Sequence, residues 1–369
     1  MTLTARQLNR ATLDRQLLLR REPLSVAAAV RRVLALQAQE PASPYLALWN
    51  RVAGLAAADV DRAFADGTLA RASLLRVTLH AVHGADWAAL HAAVTPLLRA
   101  SRLADYRWLE SDLTDAEAQA ALDHLAAYAS TPRSGDDIKA MLAGRVGDPA
   151  QMWWALRTFA PLHHVPTGGP WSFRHPASFV HAAGGLDHAE SMRALVRRYL
   201  SAFGPASTSD IMAFTRLNSA RVKAAVSALG DELTSHDGLL DLAGATLPPL
   251  DTPAPPRLLP MWDNVLLAYA DRTRLIPAAY RAHVVRRNGD VLPTLLVDGY
   301  VAGVWRPVEA GIEASAFHRL DDGTWAALSA EAAALVAFLA DRDPAVYRRY
   351  RHWWEKGIPA AESRVLPAG

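Results

Sequence analysis

The sequence predicts a mainly α chain with small β elements, an α+β protein built from repeated helical units ahead of a β-rich C-terminal part. Three observations predict it. Apolar residues recur at helical spacing through most of the chain before Pro248, and a series of capped helices ending in a turn-broken strand pair occurs twice there. Past the proline cluster from Pro248 to Pro260, a stiff connector, alternating and β-branched residues take over.

Thr4 to Arg21 reads as an amphipathic helix, with Leu8, Leu13, Leu17 and Leu18 on one side. Ser25 caps a second helix through Val26, Val30 and Val33, and Gln37 falls next on that buried stripe. Pro44 to Trp49 follows, then a helix from Ala57 to Ala65 stopped by Gly67, and an alternating run from Leu75 to Val82 suited to a strand. Helices followed by a small sheet is the order of a winged helix-turn-helix unit. The order then repeats. Helices start at Asp115 and Asp187, second helices follow at Asp137 and Asp210, and third helices cover Pro149 to Thr158 and Ser219 to Leu229, the recognition-helix position. Each set ends in a hairpin candidate: Leu162 to Val180, broken by Gly168-Gly169-Pro170, and Leu233 to Leu242, broken by Asp237-Gly238. The expected units are therefore 1–110, 111–186 and 187–247, three winged-helix units in tandem, with 248–369 as the β-rich part. Within it, Ala282 to Arg287 and Leu292 to Val297 form a hairpin pattern around Asn288-Gly289, Tyr300 to Arg306 is a further strand, and Ser329 to Asp341 is a last helix. Pro344 to Lys356 forms a tail rich in arginine and tryptophan.

Composition sets outer bounds on function. At 369 residues the chain suits two or three domains, and 51% hydrophobic with 21% charged residues is ordinary globular usage. The absence of cysteine excludes disulfides, thiolate nucleophiles and Cys-based zinc sites, and suits a reducing compartment. Met1 to Asn9 lacks the apolar centre of a signal peptide, and runs such as Ala332 to Ala340 are short of a bilayer span, so the expected location is the cytoplasm, without a membrane partner. A net charge of +2 selects no partner. Lys139, Lys223 and Lys356 are the only lysines, so nearly all positive charge is arginine, whose planar fork suits phosphates and guanine edges. A GC-rich coding bias, also suggested by the abundant alanine, accounts for the same imbalance.

Familiar catalytic patterns are missing: there is no Gly-x-Ser-x-Gly elbow, no phosphate-cradling glycine loop and no His-Glu-x-x-His helix. His80 and His83 point to opposite faces of a strand, as do His163 and His164, which argues against shared metal ligation. His163-His164 is a candidate for reaching DNA from a wing. Asp136-Asp137 reads as a helix cap and Asp321-Asp322 as a turn. What remains is Leu36-Gln37-Ala38-Gln39-Glu40-Pro41. Pro41 pushes Glu40 out of the α region, so the chain turns extended, and residues two apart then share a face. Gln37 and Gln39 read as one polar pair whose amides can converge. Two roles stay open on the residues alone: satisfying backbone groups at a helix end, or holding water and substrate.

This segment, the tandem units and the later Leu259-Pro260-Met261-Trp262-Asp263-Asn264-Val265-Leu266-Leu267-Ala268 with Asp271-Arg272 resemble the AlkZ/YcaQ family of winged-helix DNA glycosylases over essentially the whole chain. In that family glutamine–apolar–glutamine marks the AlkZ branch and a second-position aspartate the YcaQ branch, so Gln39 places this chain with AlkZ. The resemblance implies a concave DNA-binding face, Gln37 and Gln39 in the site, and excision of bulky or crosslinked N7-alkylated purines from double-stranded DNA, with unhooking of interstrand crosslinks. The expected reaction is monofunctional hydrolysis, because no lysine lies near the motif for Schiff-base chemistry. No metal, cofactor or obligatory protein partner is expected. Candidate DNA contacts are Arg157 and Arg221 on the recognition-helix candidates and Arg286 and Arg287 at the hairpin tip. A DNA-binding regulator and a drug-sequestering resistance protein are the alternative readings.

Overall fold

The computed structural model describes residues 3–367. Helix α1 (Ala5–Arg15) opens with a capping box in which Thr4 and Gln7 satisfy each other's backbone N–H groups. It stops at Arg15, earlier than the apolar pattern through Leu18 suggests, because Leu17 turns left-handed at φ 56°. Ser25 caps α2 (Val26–Val33) as expected. Leu34, at φ 73°, ends that helix, so Gln37 continues not on a helical stripe but in a short strand, β1 (Leu36–Gln37). Helices α3 (Ser43–Trp49) and α4 (Ala57–Ala65) follow. The run expected as one strand over 75–82 divides: β2 (Leu69–Ser73), a 3-10 turn at Leu75–Val77 and β3 (Leu79–His83) make a hairpin with both arms. The long helix α5 (Gly84–Leu103), with Pro96 inside it, is the main element that the sequence pattern did not reveal, and one-turn α6 (Tyr106–Leu109) follows.

The repeated pattern forms closely as expected. α7 (Asp115–Tyr128), β4 (Arg133–Ser134), α8 (Gly135–Ala143) and α9 (Pro149–Phe159) precede the hairpin β5 (Leu162–Val165) and β6 (Ser178–His181). α10 (His188–Phe203), α11 (Thr208–Thr215) and α12 (Ser219–Leu229) precede the hairpin β7 (Leu233–His236) and β8 (Leu239–Leu242). The hairpins differ in their surroundings. β7 and β8 form a sheet of their own, whereas β5 pairs with β2, so one antiparallel sheet runs β1-β3-β2-β5-β6-β4 across residue 110.

The C-terminal part is a second antiparallel sheet. β9 (Arg257–Leu259), β10 (Thr294–Val297), β11 (Tyr300–Val308), β12 (Gly311–Ala316) and β13 (Glu362–Pro367) lie in the order β13-β12-β11-β10-β9. The hairpin expected around Asn288-Gly289 is only a turn. Arg281–Val284 is one helical turn, α13, and Val285 meets Val291 in a single bridge, because β10 takes β9 and β11 as its partners instead. Asp321 is a helix cap rather than part of a turn, since its carboxylate accepts the Thr324 N–H, and α14 (Asp322–Ala340) therefore begins before Ser329. That helix is long and apolar enough by length and composition to cross a membrane, yet Trp325, Leu328, Ala332, Leu335 and Leu339 are buried within the fold. One-turn α15 (His352–Glu355) lies in the tail.

Two buried bidentate ion pairs fasten distant parts together. Arg15 at the end of α1 donates to both oxygens of Asp241 on β8 at 2.7 Å, and Gly204 sits so close that a side chain there would strike both partners. Arg51, just past α3, donates to both oxygens of Asp263 at 2.8 Å, with each side chain 1% exposed. Replacing Asp263 with Ala should leave the Arg51 guanidinium buried without its counter-charge. Breaking one side of such a pair typically costs about 3–5 kcal/mol, so chemical denaturation should show a loss of that order. A loss under about 1 kcal/mol would mean that the pair is not what anchors this segment.

Candidate active site

β1 exists because β3 pairs with it: Leu36 faces Ala81, Gln37 faces His80, and the Ala38 N–H donates to the Leu79 carbonyl at 2.8 Å. The strand is also held from behind. Asn264 of the Trp-Asp-Asn segment donates to the Ala35 carbonyl at 2.8 Å, and Arg71 of β2 donates to the Ala38 carbonyl at 3.1 Å. The two glutamines then separate in role. Gln37 is 5% exposed and its side-chain oxygen accepts the Gln39 N–H at 3.0 Å. It borders a cleft of about 10 Å³ shared with Asp263 and Asn264, about the smallest space that holds one water. Gln39 is exposed, and its side-chain oxygen lies 3.5 Å from the Leu79 N–H. The amides do not open onto one cavity: Gln37 braces the backbone that presents Gln39.

Gln39 opens onto a cavity of about 510 Å³, within the range of about 300–1,000 Å³ that takes drug-sized ligands. Arg71, Arg102, Arg157, Arg174 and Arg349 line it, and Glu40 is its one carboxylate among the described residues. Glu40 pairs with Arg349 and accepts the Tyr350 hydroxyl at 2.9 Å. Phe173 and Phe179 supply flat apolar walls. The Arg71 guanidinium lies 4.6 Å from the Phe173 ring centre, and burial pushes it down to about 10, with Glu40 acting in the opposite sense. Arg102 stacks on Trp154 and donates to Thr158 at 2.8 Å, so α5 and α9 fix one side of the cavity. His164 lies 3.4 Å from Arg71 and is held neutral, its pKa driven well down by burial and then by Arg71. Its neighbour His163 points the other way and packs edge-on to Trp87.

Of the arginines singled out in the sequence, Arg157 is exposed and lines this cavity with Gln39. Arg221 is half-buried on α12 and does not line it. Arg287 is exposed at the tip turn, while Arg286 is half-buried with its guanidinium 4.8 Å from the Trp353 ring centre. The turn is tied back to the site, since Trp262 donates to the Gly289 carbonyl at 2.9 Å and packs against Tyr350, the partner of Glu40. Glu40, Arg71 and Arg349 are site residues that sequence reasoning passed over, while His164, a candidate DNA contact from a wing, lines the cavity as a neutral partner of Arg71. Among those passed over, only Glu40 carried a signal, its place directly after Gln39. Among the described residues, no group of three His, Asp or Glu side chains converges to hold a metal.

Burial holds several histidines neutral, pushing His80 down to about 3 and His91 and His163 down to about 4. An unfolded histidine titrates near ~6.5, so below that pH the unfolded chain binds protons that the folded chain refuses. Stability should therefore be complete above about pH 6.5 and fall as the pH drops towards 4, by up to about 1.4 kcal/mol per pH unit for each such histidine. Denaturant midpoints at pH 7.5, 6 and 5 check this. A flat profile would mean that these imidazoles are protonated in the folded state.

A family model for AlkZ-like DNA glycosylases matches residues 30–338. Among solved structures, Streptomyces sahachiroi DNA glycosylase AlkZ superposes with a TM-score of 0.80 at 22% sequence identity, covering 93% of this chain and 98% of that one. No curated protein sequence matches the chain. The matched span includes the segment that carries Gln37 and Gln39, the arginine-lined cavity up to residue 338 and the Trp-Asp-Asn segment behind it, and the chain belongs to the AlkZ-like DNA glycosylase family.

Proposed function

We propose that this DNA glycosylase is monofunctional and hydrolyses the N-glycosidic bond of N7-alkylated purines, including bulky adducts and interstrand crosslinks. The observation that carries the reading is Gln39 beside Glu40 at an arginine-lined cavity that no lysine lines. Without a lysine there is no amine for a Schiff base, so water is the nucleophile. Its oxygen bonds to the sugar carbon, the bond to the purine nitrogen breaks, the electron pair leaves with the base, and the attacking water releases one proton to solvent. Alkylation at N7 has already made that base cationic, so it departs neutral and needs no acid. The Gln39 amide has no useful pKa but can place the water, and Gln37 keeps Gln39 in position through its backbone N–H. Glu40 adds negative charge where the sugar becomes positive, and its carboxylate is already engaged by Arg349 and Tyr350 rather than free to protonate a base.

The helical sets over 111–186 and 187–247, each ending in a hairpin, and the first unit over 1–110 are read as three winged-helix units that set a concave face against DNA, with 248–369 closing it. Arg157 and Arg221 are assigned to phosphates rather than bases, because repair must act wherever damage falls, and Arg286 and Arg287 to a minor groove or the backbone. Titrations on several unrelated duplexes should then agree within a few-fold; one strongly preferred sequence would favour a regulator instead.

Gln39→Ala should slow single-turnover excision of N7-methylguanine by about 10² or more while duplex affinity changes little. Equal loss of binding and excision would remove Gln39 from the chemistry. Selectivity should follow leaving-group charge, with ready excision of N7-alkylguanine and negligible excision of uracil or of the uncharged ring-opened alkylguanine. The ring-closed and ring-opened lesions differ little in bulk. Similar rates on the two would require a general acid and overturn the amide mechanism.

A further inference from the structure

Beside the cavity, four arginines gather with no ion pair to a carboxylate among the described residues, although Asp271 lies near enough to Arg281 to be lowered by its charge. Arg76 and Val77 sit in the turn between β2 and β3 at φ 55° and 62°, a left-handed conformation that a β-branched residue adopts only where its surroundings hold it. The effect is to divide the segment. Val77 and Thr78 line the cavity, whereas Arg76 does not and instead donates to the Asn264 side-chain oxygen at 2.7 Å and the Phe214 carbonyl at 3.3 Å. Arg216 is exposed where α11 ends, at φ 63°. Arg272 is half-buried just past the Trp-Asp-Asn segment, and Arg281 is exposed at the start of α13.

These guanidinium groups are close enough to feel one another. Arg76 is pushed down to about 9, first by burial and then by the charges of Arg272 and Arg216. Arg272 is lowered by burial, then by Arg281 and Arg216. None of the four forms an ion pair with a carboxylate among the described residues. The neighbouring acids direct their hydrogen bonds to neutral donors rather than to these guanidinium groups. Asp271 accepts the Thr273 N–H at 2.9 Å and its hydroxyl at 2.8 Å, and Asp210 accepts from Ser207 at 2.8 Å and from the Ala270 N–H at 2.9 Å. The Nη1 of Arg272 is buried with no hydrogen-bond partner at all. Arg15, Arg51 and Arg257, by contrast, each meet a carboxylate where they are buried, while Arg71 on the cavity does not.

Like charges held together with an unused donor call for an anion, and the planar fork of arginine fits the paired oxygens of a phosphodiester. We infer that Arg216, Arg272 and Arg281 form a binding site for a backbone phosphate of the DNA, with half-buried Arg76 as the positioning residue beside them. The inference rests on the duplex substrate of the family and not on the lesion proposed above. The site is mechanically joined to the glutamine strand: Asn264 bonds both Arg76 and the Ala35 carbonyl, and Leu79, three residues after Arg76, holds Gln39. A phosphate seated here sets the register of the duplex against the cavity without reading its sequence.

Fluorescence anisotropy on an undamaged duplex across a salt series tests this directly. The variant is Arg216→Ala with Arg281→Ala, both at exposed positions, together with Arg272→Gln alone. The comparison is Arg193→Ala with Arg197→Ala on α10, which removes the same charge but whose guanidinium groups already pair with Glu190 and Glu232. Each lost contact to B-form DNA should flatten the slope of log K against log salt by about 0.9, so the Arg216/Arg281 variant should lose about one to two units and the α10 variant almost none. Matching slopes for wild type and the Arg216/Arg281 variant would overturn the site while leaving the glycosylase reading intact. Equal flattening by both doubles would reduce the cluster to general positive charge and overturn it as well. A wild type that binds no duplex would instead sink the DNA-directed reading itself. Inorganic phosphate alone, at fixed ionic strength, separates the other source of the same chemistry. If it raised the melting temperature of the wild type but not of the variant, while duplex slopes stayed equal, the cluster would be a free-phosphate site and the assignment to DNA would fail.

Discussion

The arrangement of the site depends on one buried ion pair, Arg51 with Asp263. Two groups that are each 1% exposed and bonded at 2.8 Å hold the Trp-Asp-Asn segment against the first helices. Because the interior screens charge poorly, the attraction is strong, and because desolvation is costly, neither partner tolerates loss of the other. Everything next to Asp263 is placed as a consequence. Asn264 reaches the Ala35 carbonyl just ahead of the glutamine strand and the guanidinium of Arg76, while Trp262 reaches the tip turn at Gly289. A segment more than two hundred residues from Gln39 in the chain thus determines where Gln39 stands.

The glutamine motif is asymmetric for a related reason. β1 is only two residues long and its pairing with β3 cannot fix a side chain beyond its end. Gln37 therefore spends its amide oxygen on the Gln39 N–H, and Arg71 takes the Ala38 carbonyl. Once these groups are satisfied, the Gln39 amide is the one left to face the cavity. Rigid support for one weak polar group, rather than two groups acting alike, is how a neutral amide can be positioned well enough to matter.

Charge around that amide is also graded. Arginines line the cavity, His164 and His80 stay neutral because burial and then nearby arginine charge disfavour the imidazolium, and a single carboxylate among the described residues lies next to the motif. Such a lining attracts a polyanion. The aromatic walls Phe173 and Phe179 come from residues around β6, so the hairpin expected to be a free wing in fact helps to build the cavity. That follows from β5 meeting β2: one cross-strand contact, Arg71 opposite His164, turns a projecting hairpin into part of a sheet.

The sequence by itself determined the local elements and the family. Capping residues such as Ser25, Thr114, Ser134, Ser207 and Asn218 act through neighbours three positions away, so the helices after Asp115 and Asp187 were legible from spacing alone. The Gln-Ala-Gln and Trp-Asp-Asn segments were legible as motifs for the same reason, being contiguous. Where local signals compete, the reading slipped. Leu34 ended α2 early through a positive φ that no residue type announces, α5 spans Gly84–Leu103 despite Pro96, and the Asn288-Gly289 turn lost its hairpin because β10 had better partners. Only the tertiary structure decided which glutamine faces the cavity, that Glu40, Arg71 and Arg349 surround it, and that Arg76, Arg216, Arg272 and Arg281 come together without an ion pair among the described residues. The physical reason is that charge and hydrogen-bond partners act through space. Arg51 and Asp263, like Arg71 and His164, meet by folding across long stretches of chain, and no periodicity in the sequence records such a meeting.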